Sequence, residues 1–253
     1  MTLYDSIILG VVEGITEYLP VSSTAHLVLT AQLLEIEQTD FLKSFEIIIQ
    51  LAPIFSVIFL FWSRLFASKD LWFKLGVSFF PTGVVGFLFH DYIEAMFIVD
   101  TTIVLMFLTG IAFLLIERYR KEPKIHSEDN ISYKRAFIIG LFQTLSLIPG
   151  VSRSGSTILG AMLLKIDREL AMRYSFLLAV PTMGIASGYV ILRDYQNFEL
   201  ANWELLSVGF IVSFLVGIVA IKGFLHIVSK YSFRPFGWYL IISALVFLIF
   251  DFI

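Results

Sequence analysis

Long apolar runs separated by short charged segments dominate the chain. A helix needs about 20 apolar residues to cross a hydrocarbon core about 30 Å thick, and several of these runs approach that length. The pattern therefore predicts an all-α polytopic membrane protein. Its six predicted spans are 45–62, 76–90, 101–116, 174–192, 205–221 and 236–252.

Two further apolar regions, 6–34 and 136–164, are each interrupted near the middle by proline and hydroxyl residues. Such residues break a helix rather than continue it, so each region is predicted to be a helical hairpin. Acidic residues flank the first region and basic residues flank the second, which favours re-entrant hairpins that enter from opposite faces. Their broken tips would then meet inside the membrane, where only protein or trapped water tolerates irregular backbone.

The two halves of the chain resemble each other. The segment 10–23 aligns with 140–153, allowing a one-residue gap, and 45–53 aligns with 174–181. Each half then supplies two more apolar spans. We therefore predict two repeats, 1–125 and 126–253, each made of a re-entrant helical hairpin plus three transmembrane helices, which together form one membrane domain.

Loop charges predict how these repeats are oriented. The loop after the first span is basic, whereas its counterpart at 193–204 is mainly acidic. The loop at 91–100 has no lysine or arginine, whereas its counterpart after residue 221 is basic. Because lysine and arginine collect on the cytoplasmic side, equivalent loops fall on opposite faces. This is the signature of inverted-topology repeats, whose binding sites form near the midplane from discontinuous helices.

Composition supports a membrane protein and excludes several functions. The chain is 58% hydrophobic and 15% charged, with a mean hydropathy of +0.85 and a net charge of −3. It offers no basic face for nucleic acid. It has no cysteine, which excludes disulfides, thiolate catalysis and cysteine-ligated metals. The first residues lack a signal-peptide pattern, so residue 1 onward is treated as mature protein.

Two carboxylates are predicted to lie within the first hairpin. Glu13 and Glu17 are four residues apart and share a helix face, and His26 follows the break. Each carboxylate at this depth costs about 3 kcal/mol on insertion scales. The alternative is an interfacial helix whose acids pair with lysine or arginine, but the nearest basic residue in sequence is Lys43. Gly10 and Gly14 on the same helix form a small-residue packing element.

The second hairpin carries an arginine at its break. Arg153 stands between a Pro-Gly pair and a run that resumes as helix, among Ser152, Ser154 and Thr157. A guanidinium beside hydroxyl groups and free N–H groups at a helix start forms an anion cradle. Hydroxyl residues in such loops also serve only as caps. The same choice applies to Ser22, Ser23 and Thr24 at the other tip.

Two carboxylates repel a phosphate group bound beside them unless positive charge lies between the carboxylates and the phosphate. A divalent cation, Mg²⁺ or Ca²⁺, held by Glu13 and Glu17, is the economical solution. His26 is suited to taking or giving a proton near neutral pH. From these residues alone, an enzyme of phosphoryl transfer and a secondary transporter or lipid flippase remain about equally favoured, because carriers share this architecture.

The segments 10–26 and 149–157 closely resemble the two signature motifs of the bacterial undecaprenyl-diphosphate phosphatases, the bacitracin-resistance family. Phe45-Glu46-x-x-x-Gln50 and the segment 174–177 fit as well, so the resemblance covers essentially the whole chain. It implies a phosphoric anhydride hydrolase that removes the terminal phosphate of undecaprenyl diphosphate. That reaction recycles the lipid carrier for peptidoglycan synthesis and confers bacitracin resistance. The resemblance also implies a multi-pass protein of the bacterial cytoplasmic membrane with a site open to the external face.

The resemblance also implies roles for individual residues. Glu13 and Glu17 become the acidic pair, His26 the catalytic histidine and Arg153 the diphosphate clamp, and a divalent cation is required. The nucleophile is left open between water, Ser23 and His26. The expected partners are a polyprenyl diphosphate and the bilayer, with a second copy of the chain left open. The predicted phosphate-contacting hydroxyl residues are Ser22, Ser23, Ser152, Ser154 and Thr157.

Overall fold

The structure, a computed structural model, describes residues 1–37, 39–89, 92–93, 99–119, 122–194 and 203–251. Within these ranges the ordered elements are helices, apart from one isolated bridge between Ile125 and Ile166. The prediction of an all-α protein is confirmed. The helices are α1 (Leu3–Thr16), α2 (Ser23–Leu33), α3 (Asp40–Ile49), α4 (Leu51–Leu60), α5 (Trp62–Ala67), α6 (Lys69–Leu88), α7 (Val99–Tyr119), α8 (Tyr133–Thr144), α9 (Arg153–Leu163), α10 (Arg168–Asp194), α11 (Trp203–Lys230) and α12 (Arg234–Asp251).

Five segments of the described chain are long and apolar enough to cross a membrane, where six were predicted. The prediction 236–252 corresponds to α12, whose described apolar part, Arg234–Leu248, is shorter than the others. Residues 90 and 252 of the predicted spans, and most of the loops 91–100 and 193–204, lie outside the described residues. The five segments are Asp40–Leu60, Lys69–Leu88, Thr101–Tyr119, Arg168–Tyr189 and Trp203–Val228.

Several helices begin earlier than predicted because charged residues extend them. α10 begins at Arg168 rather than at residue 174, and its first turns contain an ion pair between Arg173 and Glu169, four residues apart. Such pairs stabilise a helix while their charged ends stay in water. A prediction that stops at the first charge therefore underestimates the length of the helix.

Both predicted hairpins are present as helix, break and helix. In the first, α1 ends where the N–H of Glu17 donates to the carbonyl of Glu13, and α2 begins at Ser23. In the second, a short 3₁₀ turn follows α8, and the chain then turns at Gly150 before α9. Gly150 has a φ of +86°, and a Cβ there would overlap the backbone of Thr102. Only glycine fits this position without strain.

The two halves of the chain exchange packing partners. The first hairpin helix, α1, packs on α11 of the second half, and α8 packs on α6 of the first half. The last long helices of the halves, α7 and α12, pack on each other, as do α4 and α10. A core that spans both halves includes Tyr18, Phe113 and Phe176. The packing of each half is therefore completed by helices of the other half.

Large apolar side chains cover much of the outer surface. Phe73 and Phe87, for example, are 67% and 84% exposed, and both lie on α6. An aqueous surface rarely carries so many exposed aromatic and aliphatic groups in contiguous patches. The exposure pattern is that of a protein surrounded by lipid.

The predicted small-residue element on α1 packs closely against α11. A Cβ on Gly14 would lie 2.7 Å from the carbonyl oxygen of Ser213. We expect Gly14→Ala to lower stability by about 1–3 kcal/mol through this overlap. The control Gly76→Ala, on α6, meets no described atom within 4 Å and should leave stability unchanged or slightly higher. Thermal unfolding of the detergent-purified variants checks this, and equal melting temperatures would contradict the packing.

Candidate active site

The tips of the two hairpins meet, as predicted. The Ser154 hydroxyl donates to the Leu19 carbonyl at 3.0 Å and so joins the two breaks. Between the tips lies a cavity of about 190 Å³. At about 30 Å³ per water, it has room for phosphate groups but not for a long lipid chain. The described residues of its wall are Glu17, Ser22, Ser23, Thr24, Gln50, Ser146, Val151, Ser152, Arg153 and Met183.

A buried ion pair crosses this cavity from one hairpin to the other. Arg153 Nη2 donates to Glu17 Oε1 at 2.7 Å, and the two side chains are 12% and 5% exposed. The second oxygen of Glu17 accepts a hydrogen bond from the Ser23 hydroxyl at 2.7 Å. Glu17 therefore connects the arginine of the second hairpin to a serine of the first.

A backbone carbonyl and an aromatic ring from other parts of the chain hold the Arg153 guanidinium in place. Nη1 donates to the Ser175 carbonyl at 3.0 Å, and Cζ lies 5.5 Å from the centre of the Tyr18 ring. Arginine has five N–H donors in a planar fork. Its Nε is buried and has no hydrogen-bond partner among the described residues, so donor capacity remains for an anion.

Glu13 is fully buried, and neither of its oxygens has a hydrogen-bond donor among the described residues. Gln143, its counterpart in the second half, is equally buried but well bonded. Its amide nitrogen donates to Thr82 at 3.0 Å and to Thr182 at 3.2 Å. An unpaired buried polar group costs about 1–3 kcal/mol, and a charged one costs more. The contrast between these two aligned positions makes Glu13 a candidate functional group.

A third carboxylate lies near the predicted acidic pair. The charged groups that interact with Glu13 are Glu17, Glu46 and Arg153, and Oε1 of Glu46 is buried without a described partner. Glu46 and Gln50 carried no predicted role beyond their part in the family resemblance. The motif Phe45-Glu46-x-x-x-Gln50 is the sequence signal that could have placed them at the site. In the structure Gln50 lies between α3 and α4 and lines the cavity.

The donor set at Glu13 suits a hard divalent cation, which prefers carboxylate oxygens. Both oxygens of Glu13 are unengaged, whereas those of Glu17 already accept hydrogen bonds from Arg153 and Ser23. The described residues contain no group of three or more acidic or histidine side chains arranged to hold a metal. Such an ion would therefore need oxygens from the substrate or water as well.

The imidazole of His26 is bonded on both nitrogens. Its Nδ1 lies 2.8 Å from the Ser22 carbonyl, and its Nε2 lies 2.6 Å from the hydroxyl of Tyr239 on α12. His26 is absent from the described wall. Ser22 has a φ of +68°, a left-handed conformation that costs a non-glycine residue about 1–2 kcal/mol. The role of His26 in catalysis stays a prediction, and its ring nitrogens contact the backbone of the tip and Tyr239.

The hydroxyl residues divide into two groups. Ser22, Ser23 and Ser152 line the cavity, and Ser152 also caps α9 by accepting from the Gly155 N–H at 3.1 Å. Ser154 and Thr157 are buried behind the wall, where Thr157 lies 2.6 Å from the Ser175 hydroxyl. Their phosphate contacts stay predictions, while their contacts here hold the tips together. Thr24, predicted with Ser22 and Ser23 to contact an anion or to cap, also lines the wall, whereas the polar wall residues Gln50 and Ser146 carried no predicted phosphate contact.

Two helices begin at the cavity, α2 at Ser23 and α9 at Arg153. A helix N-terminus presents unpaired N–H groups and a partial positive charge, which favour an anion. Together with the guanidinium of Arg153, these ends make the cavity suited to phosphate. Fold and site thus define a polytopic helical membrane protein with a cavity suited to an anion between two broken helical hairpins.

Comparison with known proteins agrees with this class. The family model described as bacitracin resistance protein BacA matches residues 6–246. The chain belongs to this family, and the resemblance seen in its sequence motifs is confirmed.

Curated relatives cover almost the whole chain. The undecaprenyl-diphosphatase of Wolinella succinogenes is 49% identical over 250 residues, 98% of each chain. The undecaprenyl-diphosphatase of Persephonella marina is 46% identical over 252 residues, 99% of each chain. The undecaprenyl-diphosphatase of Aquifex aeolicus is 41% identical over 250 residues, 98% of each chain.

Proposed function

We propose that this chain is an integral membrane phosphatase that hydrolyses undecaprenyl diphosphate to undecaprenyl phosphate and inorganic phosphate. The reaction returns the lipid carrier to cell-wall synthesis in the bacterial cytoplasmic membrane and confers resistance to bacitracin. The names of the relatives support this activity. The observation that carries it is the buried network of Arg153, Glu17 and Ser23 on the wall of the cavity.

The substrate divides between two environments. Its isoprenoid chain stays among lipid tails, because the cavity of about 190 Å³ holds only the diphosphate. Arg153 offers a planar fork of donors to phosphate oxygens, and the N-termini of α2 and α9 add further N–H groups. Donors fixed before the reaction stabilise the charge that spreads over the transferring phosphoryl group.

Ser23 and Glu17 form the arrangement of a nucleophile beside a base, since the hydroxyl donates to the carboxylate. Attack at the terminal phosphorus breaks its bond to the bridging oxygen, and undecaprenyl phosphate leaves with that oxygen. The attacking oxygen comes from Ser23, followed by hydrolysis, or from a water that Glu17 orients. The contacts of His26 with Ser22 and Tyr239 favour these two over the imidazole as nucleophile.

We further propose that Glu13, together with Glu17, holds a divalent cation, Mg²⁺ or Ca²⁺. The unengaged oxygens of Glu13 support this assignment. When bound, the ion would supply positive charge between the carboxylates and the diphosphate.

Removing divalent cations is therefore expected to stop phosphate release. The test incubates the purified protein in detergent with undecaprenyl diphosphate and measures inorganic phosphate, with and without a chelator. Activity should be lost with chelator and should return when excess Mg²⁺ or Ca²⁺ is added. Undiminished release after thorough chelation would contradict the proposed cation.

The same test separates a phosphatase from a transporter or lipid flippase. Carriers also use inverted repeats with broken helices, so the architecture alone does not decide between them. A carrier moves its substrate without consuming it, and detergent micelles offer no second compartment. Phosphate release in micelles thus supports the enzyme, and its absence from folded protein favours transport.

We also propose that the halves 1–125 and 126–253 are inverted-topology repeats. The exchange of partners between them, with α1 on α11 and α8 on α6, supports a two-fold relation. The opposite charges of equivalent loops support opposite orientations. The acids that flank the first hairpin then favour a cavity open to the external face.

A further inference from the structure

Tyr239 connects the last helix of the chain to the first hairpin. It lies on α12, and its hydroxyl oxygen is 2.6 Å from Nε2 of His26. The two rings are stacked, with centres 5.7 Å apart and an interplanar angle of 12°. Phe247, also on α12, meets the same imidazole edge-on at 6.0 Å. Two aromatic rings of α12 therefore hold the imidazole in one orientation.

The hydrogen bonds of His26 assign its tautomer. A carbonyl oxygen can only accept, so Nδ1 carries the hydrogen and donates to the Ser22 carbonyl at 2.8 Å. With a neutral ring, Nε2 is then the acceptor, and the Tyr239 hydroxyl donates to it. A hydroxyl that donates to Nε2 favours the tautomer with hydrogen on Nδ1. Tyr239 thereby stabilises the bond between His26 and Ser22.

The Ser22 carbonyl is a point at which the backbone needs support. Ser22 has φ +68° and ψ +87°, and its side chain makes no capping hydrogen bond to α2. Left-handed residues other than glycine persist where the surrounding structure holds them. The next residue, Ser23, donates to Glu17 on the cavity wall. The direction of the Ser23 hydroxyl thus depends on how firmly Ser22 is held.

We infer that Tyr239 is a positioning residue of the phosphatase site, acting through His26 on the strained turn at Ser22. The inference rests on the proposed function and adds to it a residue from the opposite half of the chain. Tyr239 is absent from the described wall of the cavity, so it acts without touching the diphosphate. Its hydroxyl is the group that matters, because the stacked ring alone does not select a tautomer.

Tyr239→Phe tests this by removing the hydroxyl while keeping the ring. We expect kcat for undecaprenyl diphosphate to fall about tenfold, since a small misplacement of a reacting group is costly. KM should stay within about twofold, because binding contacts are unchanged. Tyr231→Phe is the matched control, as Tyr231 is 64% exposed just before α12, and it should behave as wild type. An unchanged kcat in Tyr239→Phe, or a loss confined to KM, would overturn the inference.

A double-variant cycle shows whether the hydroxyl acts through His26. In His26→Asn the amide can replace Nδ1 as donor to Ser22, but nothing replaces Nε2. Tyr239→Phe should then have no further effect on kcat in the His26→Asn background. Equal tenfold losses in both backgrounds would show that Tyr239 acts independently of His26, and the inference would fail.

Nitrogen-15 spectra of the histidine-labelled protein give a readout that does not depend on activity. The His26 signal is the one lost in His26→Asn. It should show a hydrogen on Nδ1 in the wild type and a shift toward the other tautomer in Tyr239→Phe. An identical signal in both would overturn the inference even if the enzyme is active. If the wild type shows the expected tautomer but releases no phosphate, the proposed function fails instead.

Discussion

Arg153→Ala is expected to lower phosphate release from undecaprenyl diphosphate by about 10³-fold or more, the size of effect found for arginines that stabilise phosphoryl transfer. Arg153 is the basic residue of the described cavity wall, and its fork is already oriented by Ser175 and Glu17. Without it, the described wall offers the transferring group no positively charged side chain, and hydroxyl groups and helix N-termini remain beside the proposed cation. The measurement is the rate of phosphate release at saturating substrate.

Matched variants separate the loss of charge from the loss of structure. Removing Arg153 leaves Glu17 buried without its cation, which costs about 3–5 kcal/mol, so each rate must refer to folded protein. Arg153→Lys keeps the charge but not the fork and should fall between wild type and Arg153→Ala. Arg173→Ala removes an arginine paired on the partly exposed face of α10 and should retain activity. Near-normal release by Arg153→Ala would remove this residue from the site.

Glu13→Gln is expected to lower activity by about 10²-fold or more while raising thermal stability. The change keeps the size of the side chain but replaces a buried carboxyl group whose oxygens have no hydrogen-bond partner among the described residues. Relief of about 1 kcal/mol would raise the melting temperature by about 2–4 °C for a chain of this size. A catalytic group held at a cost to stability shows this opposite movement of activity and stability.

The second half of the chain supplies the control for this prediction. Gln143→Ala removes the fully bonded counterpart of Glu13 and leaves Thr82 and Thr182 without its amide. It should lower stability by about 1–3 kcal/mol while the folded fraction stays active. Thermal unfolding and phosphate release on both variants decide the matter. If the two variants lose activity alike, the two positions are not functionally different, and the assignment of Glu13 is wrong.

Features with a local pattern could be predicted from the sequence. The hairpin breaks follow from proline, glycine and hydroxyl clusters, and both appear where expected, at 17–22 and 148–152. The meeting of the two tips was predicted, but the pairing of Arg153 with Glu17 was not, because only residues near in sequence were considered as partners of the acids. Helix ends were less predictable, because α10 begins among charged residues that find partners: Arg168 pairs with Glu117 of α7, and Arg173 pairs with Glu169 one turn earlier.

Features that depend on packing between distant elements could not be predicted. Nothing in the segment around Tyr239 indicates that its hydroxyl reaches His26, 213 positions away. The hydrogen bonds that Gln143 makes, and that Glu13 lacks, likewise depend on which threonines of other helices lie nearby. Sequence patterns identify residues able to do chemistry, whereas their partners come from the tertiary structure.

Hydrolysis in ¹⁸O-labelled water shows which bond of undecaprenyl diphosphate the protein breaks. The purified wild-type chain is given undecaprenyl diphosphate, and both products are analysed by mass spectrometry. The account predicts one labelled inorganic phosphate for each undecaprenyl phosphate formed, with no label in the lipid, because attack occurs at the terminal phosphorus. Label in the lipid product, or no phosphate from folded protein supplied with Mg²⁺ or Ca²⁺, would contradict it.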